Sequence, residues 1–109
     1  MAGSTVIQWN CRGFNTNYNE LEVLSQQLNP FAICLQETYI KERKKRILRT
    51  MYNVNSPDGD RAAGGSTILV RCDIIHSEIK LKTKLQAVAV RLSFHKTISI
   101  CSIYIHAGI

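Results

Sequence analysis

Gln36, Glu37 and Thr38 close an apolar, strand-like run, Phe31-Ala32-Ile33-Cys34-Leu35, with an amide, a carboxylate and a hydroxyl. A charged group withdrawn from water without a partner costs several kcal/mol. A glutamate on the last step of a buried strand therefore reaches solvent or faces a cation, and the rest of the chain favours the cation. Asn10 is the second candidate, because it closes an earlier segment of the same kind, Ser4 to Trp9.

Those two positions need elements that bring them together. Ser4 to Trp9 is rich in β-formers, and Cys11 to Thr16 follows as a loop hinged at Gly13. Asn17 and Glu20 have the spacing of a capping box, and Tyr18, Leu21, Leu24 and Leu28 recur at helical intervals. The sequence thus predicts a helix from Asn17 to about Leu28, stopped by Asn29-Pro30, and a strand from Phe31 to Gln36. Two strands joined through one helix are most simply parallel neighbours with a right-handed crossover, so both end on one rim. Ligands of α/β sheets sit outside that rim, which gathers Asn10 and Gln36-Glu37. Gln36 itself reads as a strand-end cap, and Trp9 and Tyr18 as core.

Beyond Thr38 the pattern is looser. Ile40 to Met51 carries Lys41, Arg43, Lys44, Lys45, Arg46 and Arg49 with sparse apolar anchors, a short helix or a surface loop. Such a run is a solvated face, a DNA-backbone contact or a nuclear-import patch. Asn53 to Gly65 is turn-rich, with Ser56-Pro57-Asp58-Gly59 and Gly64-Gly65 as its signals. Ser66 to Arg71 and Ile74 to Lys82 read as strands. A hairpin follows: Val88, Val90, Leu92 and Phe94 share one parity, His95-Lys96 turns, and Thr97 to Ile105 returns with isoleucines on both parities. That last feature predicts a strand covered on both faces.

The totals narrow the class. The 109 residues make one domain or less, and 45% hydrophobic content excludes a disordered chain. No segment is long and apolar enough for a membrane span, and no signal peptide opens the chain. Met1-Ala2-Gly3-Ser4 runs straight into a strand pattern, which suggests a true beginning. Fourteen Lys and Arg against eight Asp and Glu give a net charge of +6, suited to a polyanion. Cys11, Cys34, Cys72 and Cys101 lack metal-ligand spacing, so buried, reduced thiols and an intracellular compartment are expected. His76, His95 and His106 read as surface or turn residues.

Five segments in order carry a resemblance: Ile7-Gln8-Trp9-Asn10-Cys11-Arg12-Gly13-Phe14, Ile33-Cys34-Leu35-Gln36-Glu37-Thr38, Ala62-Ala63-Gly64-Gly65-Ser66, Leu85-Gln86-Ala87-Val88-Ala89-Val90 and Ile100-Cys101-Ser102-Ile103-Tyr104-Ile105. Together the chain resembles the N-terminal half of the endonuclease domain of non-LTR retrotransposons. That domain belongs to the endonuclease/exonuclease/phosphatase superfamily, with apurinic/apyrimidinic endonucleases and DNase I. The resemblance implies an α/β fold, a partial four-layered sandwich of two packed sheets flanked by helices, with residues 1–109 as its N-terminal portion and the C-terminal half absent. It implies Mg²⁺-dependent hydrolysis of DNA, with Mn²⁺ as a substitute ion, nicking the target for integration. The implied partners are DNA and a downstream reverse transcriptase, with no membrane, in the nucleus. By the same resemblance Glu37 matches the metal-binding carboxylate, Asn10 the asparagine that supports the metal, and Tyr104 the strand-end tyrosine that approaches the scissile phosphate.

Mg²⁺ takes oxygen ligands, usually one or two carboxylates completed by water and substrate phosphate, so one glutamate on a rigid strand end can anchor it. The family's later D-x-N-type motif and Asp-His pair have no counterpart here, and His106-Ala107 stands where the family usually has proline. A fragment with little or no nicking activity is therefore expected. The alternatives are a truncated, non-catalytic remnant that at most binds nucleic acid, or a phosphatase or phospholipase on the same scaffold. Open strand edges and apolar faces also predict poor solubility or self-association.

Overall fold

The computed structural model describes residues 5–38, 48, 50–55 and 65–105. The elements run β1 (Val6–Asn10), α1 (Tyr18–Leu28), β2 (Ala32–Gln36), β3 (Met51–Asn55), β4 (Ser66–Arg71), β5 (Ile75–Ile79), β6 (Gln86–Phe94) and β7 (Lys96–Tyr104). They form two sheets, ordered β1-β2-β4-β3 and β5-β6-β7. β1 and β2 pair in parallel through the α1 crossover, with Asn10 opposite Gln36, as the sequence predicts. Every other pairing is antiparallel. The class is α/β with two packed sheets, and the described residues make three layers: helix, first sheet, second sheet.

Strand parity decides what lies between the layers. Ile33, Leu35, Leu69 and Met51 project toward α1 and pack with Phe14, Leu21 and Leu48. Ala32, Cys34, Ile68, Val70 and Val54 project the other way, onto Val88, Val90 and Leu92 of β6. β2 is buried along its whole length, so it is covered on both faces. Phe31 stacks on Phe94 at the far end, ring centroids 4.8 Å apart, closing the inter-sheet core there.

Several expectations need correction. Asn17 precedes α1 but makes no side-chain cap; its Nδ2 donates to the carbonyls of Cys11 at 2.6 Å and Gly13 at 3.2 Å. The amide thus braces the β1–α1 loop instead of the helix start. Asn29 ends the helix in the left-handed conformation, its N–H donating to Ser25 O. β3 runs from the end of the stretch read as a short helix or surface loop into the one read as turn-rich: two asparagines hide it, but Met51 and Val54 are buried and the strand is held by β4. β7 does not have two covered faces among the described residues. Its inward residues meet the first sheet, while Cys101, Ile103 and Ile105 are exposed. The basic run Lys41–Arg49 and His106 lie outside the described residues.

The four thiols are free, and they divide into two classes, against the expectation that all are buried. Cys11 and Cys34 are buried, whereas Cys72 and Cys101 are exposed. Burial pushes Cys34 up to about 11 and raises Cys11 as well, the latter aided by the nearby Glu37 carboxylate. The thiolate is the nucleophile, so alkylation at pH 8 should modify Cys72 and Cys101 quickly and leave Cys11 and Cys34 for the unfolded chain. Mass spectrometry of the alkylated protein checks this; rapid modification of Cys34 would contradict the packing. Because the folded pKa of Cys34 is the higher one, its contribution to stability is complete below about pH 9 and lost toward about pH 11.

Candidate active site

The parallel pairing brings the ends of β1 and β2 to one rim, and the chain beyond them is held by a continuation of the ladder. Cys11 N donates to Gln36 O at 3.0 Å, Gly13 N to Glu37 O at 2.7 Å and Phe14 N to Thr38 O at 2.8 Å. From the other side Gly65 O accepts from Thr38 N at 3.5 Å. Glu37 is therefore clamped by its backbone between two loops. It has φ 54°, the left-handed region that a residue with a Cβ avoids at a cost of roughly 1–2 kcal/mol. Such strain persists only where the surroundings impose it, as this double clamp does. The consequence is a side chain turned out of the strand's alternation at the rim.

The second sheet contributes the opposite lip. Tyr104 ends β7 in register with Gln86 at the start of β6. Its parity is that of Ser102, the inward-facing residue two positions earlier, so it sits over the first sheet and not on the outer face. A cleft of about 550 Å³ opens between the lips, lined by Gln8, Asn10, Gln36, Glu37, Ile103, Tyr104 and Ile105. Asn10, Glu37 and Tyr104, singled out from the sequence, thus share one cleft. His76 and His95 lie elsewhere, on β5 and in the β6–β7 turn.

The donor set of the cleft suits a hard cation. Among the described residues its side-chain oxygens come from one carboxylate, three amides and the Tyr104 hydroxyl, with no thiol or imidazole. Among the described residues no group of three or more His, Cys, Asp or Glu could hold a metal by itself. A lone carboxylate with neutral oxygens fits an ion that keeps several waters and shares a phosphate, as Mg²⁺ does, and does not fit a closed zinc site.

The sequence did not single out Gln8 or Ser102, and Gln36 is more than a strand cap. Gln36 Nε2 donates to Ser102 Oγ at 2.8 Å, and Gln36 Oε1 accepts from Gln8 Nε2. The available signal was parity: Gln36 follows Ala32 and Cys34 on one face of β2, and Ser102 follows Ile98 and Ile100 on one face of β7.

No protein-family model matches the chain. A stretch of 73 residues, 65% of the chain, is 30% identical to the probable RNA-directed DNA polymerase from transposon X-element of Drosophila melanogaster. The match spans 8% of that protein. Among solved structures, the endonuclease domain of TRAS1, a telomere-specific non-LTR retrotransposon, superposes with a TM-score of 0.74 at 20% identity. The likeness covers 93% of this chain and 45% of the other, so the chain spans under half of that domain. At this level of identity the likeness establishes the fold: a two-sheet α/β sandwich of the DNase I-like type.

The backbone of Glu37 gives a direct check of the clamp. Glu37→Gly should be more stable than Glu37→Ala by up to about 1 kcal/mol, because only glycine takes φ 54° without a Cβ penalty. Chemical denaturation of the two variants measures the difference; an alanine variant equal to or more stable than the glycine one would contradict the left-handed backbone.

Proposed function

We propose that this chain is the N-terminal portion of a Mg²⁺-dependent DNA endonuclease domain from a non-LTR retrotransposon, part of a longer protein that also carries a reverse transcriptase. The observation that carries the proposal is the convergence of Asn10, Glu37 and Tyr104 on one cleft. The fold shared with the TRAS1 domain, the similarity to a transposon polymerase and the net charge of +6 support it. Its site of action is the nucleus, where target DNA lies. Among the described residues no helix is long and apolar enough to cross a membrane.

In this assignment Glu37 supplies the carboxylate ligand and Asn10 an amide oxygen or a hydrogen bond that orients the ligand shell. The metal ion would act as a Lewis acid on the scissile phosphate. The Tyr104 hydroxyl would donate a hydrogen bond to a phosphate oxygen, a fixed dipole placed where negative charge grows. The clamp on the Glu37 backbone keeps that carboxylate in place before substrate arrives, so it needs little reorganisation. Basic side chains supply affinity for DNA that does not depend on sequence.

Among the described residues that line it, the cleft has no histidine and no carboxylate besides Glu37 to take a proton from an attacking water. The 109 residues alone should nick supercoiled plasmid slower than a domain with a general base by ~10²–10⁴. They should nevertheless bind Mn²⁺, seen as enhanced water-proton relaxation, and Glu37→Gln should weaken that binding at least about tenfold, the equivalent of ~1.4 kcal/mol. Rapid nicking in Mg²⁺ that Glu37→Ala abolishes would overturn the incompleteness of the site. Mn²⁺ binding unchanged in Glu37→Gln would overturn the site itself and leave a remnant that only binds nucleic acid.

A further inference from the structure

The interior between the two sheets is apolar except at its rim end, where a closed set of polar contacts crosses it. Gln36, 9% exposed, and Ser102, 2% exposed, meet there from β2 and β7. Gln36 Nε2 donates to Ser102 Oγ at 2.8 Å, and the same hydroxyl donates to Leu35 O at 3.3 Å. Gln36 Oε1 accepts from Gln8 on β1, so both ends of the amide and both roles of the hydroxyl are engaged. Beside it Gln86 Oε1, at the start of β6, accepts from Gly65 N at 2.5 Å, just before β4. Two glutamine amides therefore tie the first sheet to the second at one end of the sandwich.

Their placement in the chain gives these ties a consequence. Gln36 directly precedes Glu37. Ser102 lies two residues before Tyr104 on the same face of β7, a rise of about 6.6–6.8 Å. Gln86 is the cross-strand partner of Tyr104. Apolar contact between sheets is non-directional and tolerates small shifts, whereas a hydrogen bond has a required length and angle. Replacing a buried polar pair by apolar groups of the same shape can be neutral for stability, so stability alone does not call for an amide and a hydroxyl here.

We propose that Gln36 and Ser102 are positioning residues, a strut that sets the separation between the Glu37 lip and the Tyr104 lip of the cleft. The proposal rests on the metal site proposed above. Without the strut the two sheets stay packed, but Tyr104 loses its fixed place opposite the metal ligand.

Ser102→Thr and Ser102→Val separate the hydroxyl from the shape, since threonine and valine are nearly isosteric. The 109-residue protein is labelled with fluorotyrosine, and Tyr104→Phe assigns the Tyr104 fluorine resonance. Without metal, the proposal expects one sharp Tyr104 resonance in the wild type and Ser102→Thr, and a shifted or broadened one in Ser102→Val. With Mn²⁺, Ser102→Val should keep its metal affinity within about twofold. Its Tyr104 relaxation, which falls with the sixth power of the distance, should drop at least about twofold, and a 1 Å misplacement is a catalytically significant one. Ser102→Thr should retain the wild-type relaxation. Val and Thr variants with the same Tyr104 resonance would overturn the strut. Absence of any Mn²⁺ effect in the wild type would overturn the metal site, and the metal-free resonance would still decide the strut. If Ser102→Val lacks the folded circular-dichroism signal, Gln36→Met, which removes the other end, takes its place with the same criteria.

Discussion

Burial of β2 on both faces is the constraint on which the rest depends. Its five residues are all buried, with α1 against one side and β6 and β7 against the other. A strand in that position can present chemistry only where it leaves the core. The parallel neighbour β1 ends at the same level, the β1–α1 loop extends the ladder past it, and Gly65 closes from the opposite side. Glu37, the first residue past β2, is held inside this cage by its backbone, and its left-handed conformation is the local cost of turning a carboxylate to the rim.

The two sheets have different tasks in this arrangement. The first fixes Glu37 and Asn10 through backbone hydrogen bonds, which leave little freedom. The second carries Tyr104 and reaches the first through an apolar interior and a few polar ties at the rim. The lip with the proposed metal ligands is thus rigid by secondary structure, and the lip with the phenol is rigid only as far as side chains between sheets make it so. Such a division concentrates sensitivity to substitution in Gln36, Ser102 and Gln86, none of which contributes charge.

Much of this was legible in the sequence because local signals agreed. The β1-α1-β2 unit follows from two β-rich segments around one helical period, and its topology alone brings Asn10 beside Gln36-Glu37. The parity of Val88, Val90, Leu92 and Phe94 gave the inward face of β6. β3 was missed because its burial comes from pairing with β4, a long-range contact that two asparagines in five residues do not advertise. Asn17 was misjudged because the capping-box spacing is also compatible with an amide turned back on the preceding loop. The position of Tyr104 in the cleft came from resemblance; its parity with Ser102 supplies the physical reason only once the sheets are packed.

A crystal structure of the protein soaked in Mn²⁺, read by anomalous scattering, tests the central claim most directly. The account predicts an anomalous peak at the rim within bonding distance of a Glu37 carboxylate oxygen, about 2.0–2.2 Å if the ion behaves as a Mg²⁺ substitute, with the Tyr104 hydroxyl facing it across the cleft. A peak held elsewhere, with Glu37 turned away to solvent, would contradict it.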